Sequence, residues 1–320
     1  MRILALVPGG IGDQILFFPT IYDLKEKYPK ALIDVIVEPR SKSAYRVCDC
    51  VHQVLTFDFK DRNGLTDYIF LIGDIKDNEY DMVVTLGQRW TVGLLLWLSG
   101  IPVRVGYKST PSWFLSNTVE LNKDQYAAWM YHDLVKGLGI EKPCPELQVS
   151  IPIEDRDWAE AEKKRLDIKE SGYIVIHGGS SQMALSKGID KIYPVPKWQR
   201  IVEDSQRRHP EIPIVLLSGP EDEEWVRQMN ELCRDLKVTE PPDIGKLAAI
   251  IAGANLMLCT DSAPMHLSVA VGTETVALFG PTEASKLLPP NNDRARGVQS
   301  PTYSIEAIDP EKVIEQIWRA

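Results

Sequence analysis

Short apolar runs recur along the whole chain and are separated by segments with helical patterns. Several of these runs are continuously apolar rather than alternating, which is typical of parallel strands buried on both faces. Strands that alternate regularly with helices predict doubly wound parallel sheets, and hence an α/β fold. The predicted strands are Arg2–Val7, Leu32–Val37, Gln53–Phe57, Met82–Leu86 and Val103–Gly106 in the first half, and Tyr173–His177, Ile214–Ser218, Leu256–Thr260 and Thr275–Phe279 in the second.

The length of 320 residues suits two domains rather than one core. Between the two halves, residues 151–153 are expected to be extended, and a charged helix is predicted at 158–166 with Asp155 as its N-cap. We therefore predict two Rossmann-like domains, residues 1–155 and 156–320. Because ligands bind at the carboxyl ends of the strands in such sheets, the expected site is a cleft between the two domains.

The final segment, residues 310–319, is predicted to be a docked helix rather than a tail. Pro310 stands at the first helical position, where a proline is tolerated. Three apolar side chains have the spacing of one helix face, namely Val313, Ile314 and Ile317.

Charge and composition exclude several classes of protein. The net charge is −9 and no long basic run is present, which argues against nucleic acid as a partner. The apolar run at 90–103 contains two glycines and a proline, so it does not predict a membrane span. Contact of this run with a lipid-linked acceptor is an alternative, but a buried helix is favoured. The first apolar run is too short for a signal-peptide core, so a cytoplasmic location is expected, with peripheral membrane contact left open.

The five cysteines are odd in number and show no C-x-x-C spacing. This pattern favours neither a disulfide framework nor a zinc site, and ordinary thiols are expected. We predict no metal, no organic cofactor and a monomeric protein.

The glycine-rich stretch "VPGGIGDQ", residues 7–14, follows the first predicted strand. A dinucleotide-binding fingerprint would require glycine at position 15, where Ile15 stands, and the Asp13 carboxylate would repel a phosphate. The loop is instead suited to presenting Asp13 as a general base that accepts a proton from a hydroxyl. An equally weighted alternative is that Asp13 only caps the following helix. The glycines that would give this loop its tight path are Gly9, Gly10 and Gly12.

A second candidate site is "CTDSAPMHLSVAVG", residues 259–272, where a strand leads into an amphipathic helix. The small residues Ser262 and Ala263 leave backbone N–H groups exposed at the helix start, which attracts phosphate. His266 is a candidate hydrogen-bond donor or acid–base group, and the alternative is a helix histidine bonded to a neighbouring carbonyl. Asp261 is expected to orient the loop rather than to react.

Polar residues follow two further predicted strands of the second half. "HGGSSQ" at 177–182 offers small residues and hydroxyls, and Glu221 in "LSGPEDEE" is a candidate for holding ribose hydroxyls. The alternative for Glu221 is a solvated helix N-terminus, which is commonly rich in acids. Either Lys187 or Lys191 would reach a diphosphate as a point charge.

Four segments occur together in an order that resembles glycosyltransferase family 9, the heptosyltransferase-like enzymes of lipopolysaccharide core assembly. They are "GGIGDQILFFPTIYDLKEKYP", "KIYPVPKW", "SGPEDE" and "DSAPMHLSVAVGTETVALFGPT". The resemblance covers essentially the whole chain. It implies a GT-B fold with the acceptor site in the first domain and the nucleotide-sugar site in the second, and it implies that helix 310–319 packs back on the first domain. It also implies transfer with inversion of anomeric configuration and without an essential metal.

The resemblance assigns roles to individual residues. Asp13 matches the catalytic base, and Lys191 matches a diphosphate-binding lysine, with tyrosine in place of the usual tryptophan in "KIYP". Glu221 matches a ribose contact, and Ser180 and Ser181 resemble the hydroxyl residues upstream of that lysine. The phosphate-binding segment "D-[ST]-G-x-x-H" corresponds to Asp261, Ser262, Ala263 and His266, where Ala263 departs from the usual glycine.

The implied reaction moves heptose or a similar sugar from a nucleoside-diphosphate donor to a lipopolysaccharide-like glycan or glycolipid. By analogy with the family, the donor would be ADP-heptose. Two alternatives stay open, a nucleotide-sugar epimerase or hydrolase of the same fold and a protein that only binds nucleotide sugar. A nicotinamide-dependent dehydrogenase is the rival at the level of the fold, but no intact fingerprint supports it.

Overall fold

The computed structural model describes residues 1–59, 63–108, 112–179 and 191–319. The chain divides into two compact units, Met1–Ser150 and Ile151–Ala320. This division lies slightly before the boundary expected from the sequence. Each unit contains a six-stranded sheet whose pairings are all parallel, so the predicted α/β class with two doubly wound sheets is confirmed.

The sheet of the first unit has the strand order β3-β2-β1-β4-β5-β6. Its strands are β1 Arg2–Val7, β2 Leu32–Val37, β3 Gln53–Thr56, β4 Met82–Thr85, β5 Val103–Tyr107 and β6 Asn117–Val119. Its helices are α1 Ile11–Lys27, α2 Leu65–Asp77, α3 Trp90–Leu98 and α4 Ala127–His132, with 3-10 segments at Pro39–Val47 and Asp133–Leu138.

The sheet of the second unit repeats this order as β12-β11-β10-β7-β8-β9. Its strands are β7 Ile174–His177, β8 Ile214–Leu217, β9 Lys237–Thr239, β10 Leu256–Thr260, β11 Thr275–Phe279 and β12 Ala295–Gln299. The helices described there are α5 Ile153–Arg165, α6 Val195–Arg208, α7 Glu223–Leu232, α8 Ile244–Ala252, α9 Ala263–Val271, α10 Ala284–Leu287 and α11 Pro310–Ile317, with a 3-10 turn at Ile305–Ala307.

In both units the second and third strands are added on one side of the first strand, and the fourth, fifth and sixth strands are added on its other side. The direction therefore reverses between β1 and β4 in the first unit, and between β7 and β10 in the second. In open α/β sheets, such a switch point leaves a crevice at the carboxyl ends of the two strands, and this is where ligands bind. The loops after β1, β7 and β10 are those that the sequence analysis singled out.

The apolar side chains of the central strands are buried in both sheets, and β10 is buried along its whole length. The terminal helix α11 contributes three residues to the core of the second unit, Val313, Ile314 and Ile317. Its apolar face thus has a partner within its own unit, and packing against the first unit stays a prediction.

Three predicted features need correction. Asp155 does not cap a helix, because α5 already begins at Ile153 and the buried Asp155 carboxylate accepts a hydrogen bond from Lys246 Nζ at 3.2 Å. The strands β6, β9 and β12 were not predicted. The α3 segment is only half a core helix, since Leu95 and Leu96 are buried while Trp90 and Trp97 are about half exposed. Among the described residues, no helix combines the length and apolar character needed to cross a membrane.

Candidate active site

The Asp13 carboxylate, which follows the loop after β1, is held by hydrogen bonds to both of its oxygens. Helix α1 begins at Ile11, so Asp13 lies in its first turn, and Asp13 Oδ2 accepts a hydrogen bond from the backbone N–H of Gly10 at 2.7 Å. Asp13 Oδ1 accepts a second hydrogen bond from the Tyr131 hydroxyl at 2.8 Å. Asp13 therefore caps α1 by accepting the N–H of the N-cap residue Gly10. It is also partly exposed, and its other oxygen is oriented by a tyrosine that is distant in sequence.

The glycines of this loop allow the carboxylate to fold back on the chain. Gly9 has φ = +143°, and a Cβ atom built there would lie 2.4 Å from Asp13 Oδ2. Gly10 supplies the capping N–H, and Gly12 lies in the first turn of α1. A side chain at position 9 would therefore displace Asp13 as well as strain the backbone.

Hydrogen bonds from buried polar side chains fix the loop between β1 and α1. Gln14 is fully buried, and its Nε2 donates to the carbonyl of Val7 at 3.0 Å. The Tyr45 hydroxyl donates to Gln14 Oε1 at 2.8 Å, and Ser41 Oγ donates to the carbonyl of Gly9 at 2.7 Å. These bonds attach both ends of the loop to the 3-10 segment after β2, so the position of Asp13 is set by the fold.

Tyr131, on α4, was not found by sequence reasoning. Burial and the neighbouring Asp13 charge raise the pKa of its phenol well above the usual value. The hydroxyl therefore keeps its proton and remains a donor to Asp13 throughout the working pH range. The two residues are far apart in sequence, and only the packing of α4 beside α1 brings them together.

In the second unit, two predicted residues are brought together. Asp261 follows β10 and Lys191 precedes α6, and Lys191 Nζ lies 2.5 Å from Asp261 Oδ2. Asp261 thus holds the lysine, whereas the sequence analysis expected it to orient its own loop, and that role stays a prediction. Ser262 is the N-cap of α9, and its side chain makes no capping hydrogen bond. Pro264 at the second position has no N–H, and the N–H of Met265 donates to the Ser262 carbonyl at 3.1 Å, so the first turn offers an anion the N–H of Ala263.

A further pair of residues meets this loop, and neither was singled out from the sequence. His177 Nδ1 lies 3.2 Å from Ser262 Oγ, and His177 Nε2 lies 3.2 Å from Asp222 Oδ2. Burial tends to raise the pKa of Asp222, but His177, by hydrogen bond and charge, and the N–H of Gly219 together hold it below its usual value. The available sequence signals were the position of His177 at a strand end and the acidic run after β8.

Glycines permit this approach as well. A Cβ atom at Gly179 would lie 1.6 Å from Asp222 Oδ1, so no other residue fits there without moving the carboxylate. Thr260 Oγ1 donates to the carbonyl of Gly179 at 3.3 Å and ties the loop after β7 to the end of β10. Gly179 is thus explained by the packing of the Asp222 side chain, and Gly178 by the Trp225 ring, which would lie 2.4 Å from a Cβ atom there.

The remaining predicted residues are placed as follows. Ala263 is the first residue of α9 and has no left-handed backbone, so the departure from glycine causes no strain in φ. Glu221 is exposed in the turn after β8, and His266 is buried in α9. Ser180, Ser181 and Lys187 lie outside the described residues.

A family model described as "Glycosyltransferase family 9 (heptosyltransferase)" matches residues 70–317. The chain belongs to glycosyltransferase family 9. The resemblance found in the sequence is thereby confirmed, and the protein is a glycosyl-transfer enzyme.

Individual proteins agree with this family 9 assignment. Lipopolysaccharide heptosyltransferase 3 of Escherichia coli is 26% identical over 85% of this chain and 81% of its own length. Among solved structures, a family 9 glycosyltransferase from Veillonella parvula has a TM-score of 0.85 at 21% identity and covers 99% of this chain and 96% of its own. E. coli heptosyltransferase WaaC with ADP-2-deoxy-2-fluoro heptose has a TM-score of 0.76 at 18% identity, with 100% and 99% covered. The predicted GT-B fold type is confirmed by these structures.

Proposed function

We propose that this family 9 enzyme transfers heptose or a similar sugar from a nucleoside-diphosphate donor to a hydroxyl of a lipopolysaccharide-like acceptor, with inversion. The observation that carries the proposal is the Asp13 carboxylate, which is partly exposed at the carboxyl end of β1 and held by two hydrogen bonds. A fixed carboxylate at a switch point is suited to proton removal, because its orientation needs no reorganisation at the moment of reaction.

In the proposed reaction, Asp13 accepts the proton of the acceptor hydroxyl as that oxygen attacks the anomeric carbon. The new glycosidic bond forms on the face opposite the diphosphate, whose bond to the sugar breaks, so a single displacement inverts the configuration. The sugar passes through an oxocarbenium-like state, as in glycoside hydrolysis. The negative charge ends on the leaving nucleoside diphosphate.

The second unit is proposed to receive this charge without a metal. Lys191 supplies a positive charge, and Asp261 holds it beside the start of α9. The N–H of Ala263 at the start of α9 adds a hydrogen bond, and the helix adds the favourable end of its dipole. Ser180, Ser181, Glu221 and His266 are proposed to complete the donor site as their family 9 counterparts do.

The choice of donor and acceptor rests on the relatives. The similar WaaC structure contains ADP-2-deoxy-2-fluoro heptose, and the similar E. coli protein is a lipopolysaccharide heptosyltransferase. We therefore propose ADP-heptose as the donor and a lipopolysaccharide precursor as the acceptor. A cytoplasmic location with peripheral membrane contact fits an acceptor of this kind.

The test compares two aspartates that cap helices in the same way. Asp67 accepts a hydrogen bond from the N–H of Gly64 at 2.8 Å, as Asp13 does from Gly10, but it lies at the start of α2. We expect Asp13→Asn to lower turnover by about 10²–10⁴-fold while nucleotide-sugar binding is retained, because only the base is lost. Asp67→Asn should lower the free energy of unfolding by about 1 kcal/mol and leave turnover unchanged.

Turnover is measured as acceptor-dependent release of nucleoside diphosphate, and binding is measured by calorimetry. Equal turnover in Asp13→Asn and Asp67→Asn would reduce Asp13 to a helix cap and contradict the proposal. Release of nucleotide that needs no acceptor would instead favour an epimerase or hydrolase.

A further inference from the structure

A chain of three polar side chains lies at the switch point of the second sheet. His177 ends β7 and is only 8% exposed, Asp222 follows β8 and is buried, and Ser262 is the partly exposed N-cap residue of α9. The two ring nitrogens of His177 lie 3.2 Å from Asp222 Oδ2 and 3.2 Å from Ser262 Oγ. The histidine thus connects a buried carboxylate to the helix start at which the donor diphosphate is proposed to bind.

The hydrogen-bond partners restrict where the protons lie. Asp222 also accepts from the N–H of Gly219 at 2.9 Å, and an ionised carboxylate can only accept, so His177 Nε2 must carry a hydrogen. The Ser262 hydroxyl lies 3.2 Å from His177 Nδ1 and 3.1 Å from the carbonyl of Thr260, and it has one hydrogen to donate. A neutral His177 fits when Ser262 donates to Nδ1, and an imidazolium fits when Ser262 donates to Thr260.

The protonation state of His177 decides what Ser262 can offer to an anion. If His177 is neutral at Nδ1, the serine hydroxyl must donate to this nitrogen and cannot donate to a phosphate oxygen. If His177 is an imidazolium, Ser262 accepts from Nδ1 and its hydrogen is free to turn from Thr260 to the phosphate. The imidazolium also brings a positive charge near the diphosphate, and Asp222 stabilises that charge.

We propose that His177 is a positioning residue that takes up a proton when the diphosphate of the nucleotide sugar binds, and that it acts on the donor through Ser262. The proposal rests on the donor site described under the proposed function and adds a pH dependence to it. Affinity is highest where His177 is protonated and decreases as the pH rises, because binding must then supply the energy of proton uptake. A histidine is suited to this role, since its usual pKa lies near neutrality.

Other titratable groups lie on the elements packed against His177. Cys259 is its register partner in β10, and burial raises the pKa of this thiol far above the usual value, so it stays neutral. Asp261 is paired with Lys191 in the next loop. Glu221 precedes Asp222, and His266 lies in α9. His266 is therefore the other histidine from which a pH dependence of donor binding would arise, and it is included in the test.

The experiment measures the Kd of three nucleotide sugars, ADP-heptose, UDP-glucose and GDP-mannose, by calorimetry from about pH 6 to about pH 8.5. Nucleotide sugars are used because a terminal phosphate would itself titrate near pH 6, whereas the diphosphate of a nucleotide sugar is a diester. For the sugar that binds, Kd of the wild type should rise about tenfold over this range, with uptake of up to one proton per site. Proton uptake is obtained from binding enthalpies in two buffers of different ionisation enthalpy.

Four variants assign the proton. His177→Asn keeps a donor directed at Ser262 without a charge, so its Kd should be independent of pH and its proton uptake should vanish. Asp222→Asn should move the loss of affinity to lower pH, because the counter-charge is removed. His209→Asn is the matched control. This exposed histidine precedes β8, at the amino ends of the strands of the same sheet, and the variant should behave as the wild type. His266→Asn should retain the pH dependence, and thermal unfolding of each variant confirms that it is folded.

Distinct outcomes overturn the two proposals. Binding that is independent of pH in the wild type, or a pH dependence lost in His266→Asn but kept in His177→Asn, would overturn the role of His177 and leave the donor site intact. Failure of all three nucleotide sugars to bind at any pH would overturn the donor site itself, and with it the role of His177.

Discussion

At the scale of single residues, the orientation of Asp13 is set by one hydrogen bond on each carboxylate oxygen. The Gly10 N–H and the Tyr131 hydroxyl fix both the position and the rotation of the group. The carboxylate keeps further lone pairs for an incoming hydroxyl, since each of its oxygens has capacity for more than one donor. Tyr131 is thus proposed to position the base, in addition to packing α4 against α1.

Tyr131→Phe tests this role. The variant keeps the aromatic ring and removes the donor, so we expect kcat to fall by about tenfold, a fraction of what loss of the carboxylate would cost. The KM for the nucleotide sugar should be unchanged, because this unit is not proposed to bind it. A matched control is Tyr107→Phe, whose hydroxyl donates to a backbone carbonyl in the same unit and not to Asp13. A similar kcat for the two variants would contradict the positioning role.

Sequence reasoning found the residues of the site that lie in motifs and missed those that depend on packing. The structure places Asp261 and Ser262 directly after β10, Asp13 in the first turn of the helix after β1, and Lys191 before α6 and beside Asp261. Tyr131 contacts Asp13 from a helix more than a hundred residues away, which no local pattern encodes. Asp222 was hidden among four acids of which the neighbouring Glu221 was selected, because burial decides between adjacent carboxylates and burial is not visible in sequence.

At the scale of secondary-structure elements, the turn between β1 and α1 depends on Gly9. Its φ of +143° is costly for any other residue, and a Cβ atom would collide with Asp13 Oδ2. Gly9→Ala should therefore abolish most of the turnover by displacing the base, while nucleotide-sugar binding is retained. Activity is measured together with thermal unfolding.

The control for Gly9→Ala is Gly100→Ala. Gly100 also has a positive φ, of +81°, but nothing lies within 4 Å of a Cβ atom built there. Both variants should lose stability, by about 1–2 kcal/mol, and only Gly9→Ala should lose turnover. If turnover fell equally in both, general strain rather than displacement of Asp13 would explain the effect.

Helix α3 and Trp113, which lies between β5 and β6, expose aromatic side chains on the first unit. Trp97 is 51% exposed and Trp113 is 86% exposed, and the rings of Trp90 and Trp97 pack near Phe114. Such aromatic side chains favour the membrane–water interface, which suits the lipopolysaccharide-like acceptor proposed above. The double variant Trp97→Ser/Trp113→Ser should bind vesicles of phosphatidylethanolamine and phosphatidylglycerol about tenfold more weakly in sedimentation assays. Tyr303→Ser, on an equally exposed aromatic residue of the second unit, should have no effect, and equal losses would contradict this assignment.

The elements that sequence reasoning missed share a physical reason. The strands β6, β9 and β12 are edge strands of their sheets. They carry partly exposed side chains and lack a continuous apolar run. Their strand conformation comes from pairing with a neighbour rather than from their own composition. The central strands were predicted within a residue or so of their bounds, because burial on both faces imposes an apolar run.

At the scale of the whole molecule, the same strand order is used twice, once for the proposed base and once for the proposed donor site. Each unit has a core of its own, so the two halves of the chemistry are carried by separately packed structures. A ligand that binds one unit should therefore stabilise that unit first. This follows from mass action, since only the state that binds the ligand gains free energy.

Calorimetry of the full chain tests this independence. We expect two unfolding transitions, assigned by Ile21→Ala in α1 and Ile201→Ala in α6, because each removes fully buried side-chain atoms from one core and should lower one transition. A nucleotide sugar at about 100 times its Kd adds about 2.7 kcal/mol to the unit that binds it. The transition lowered by Ile201→Ala should then rise by about 5–10 °C, and the other should stay within about 1 °C. A single transition lowered by both substitutions would contradict the independent unfolding of the two units. A rise confined to the transition of the first unit would contradict the assignment of the donor site to the second unit.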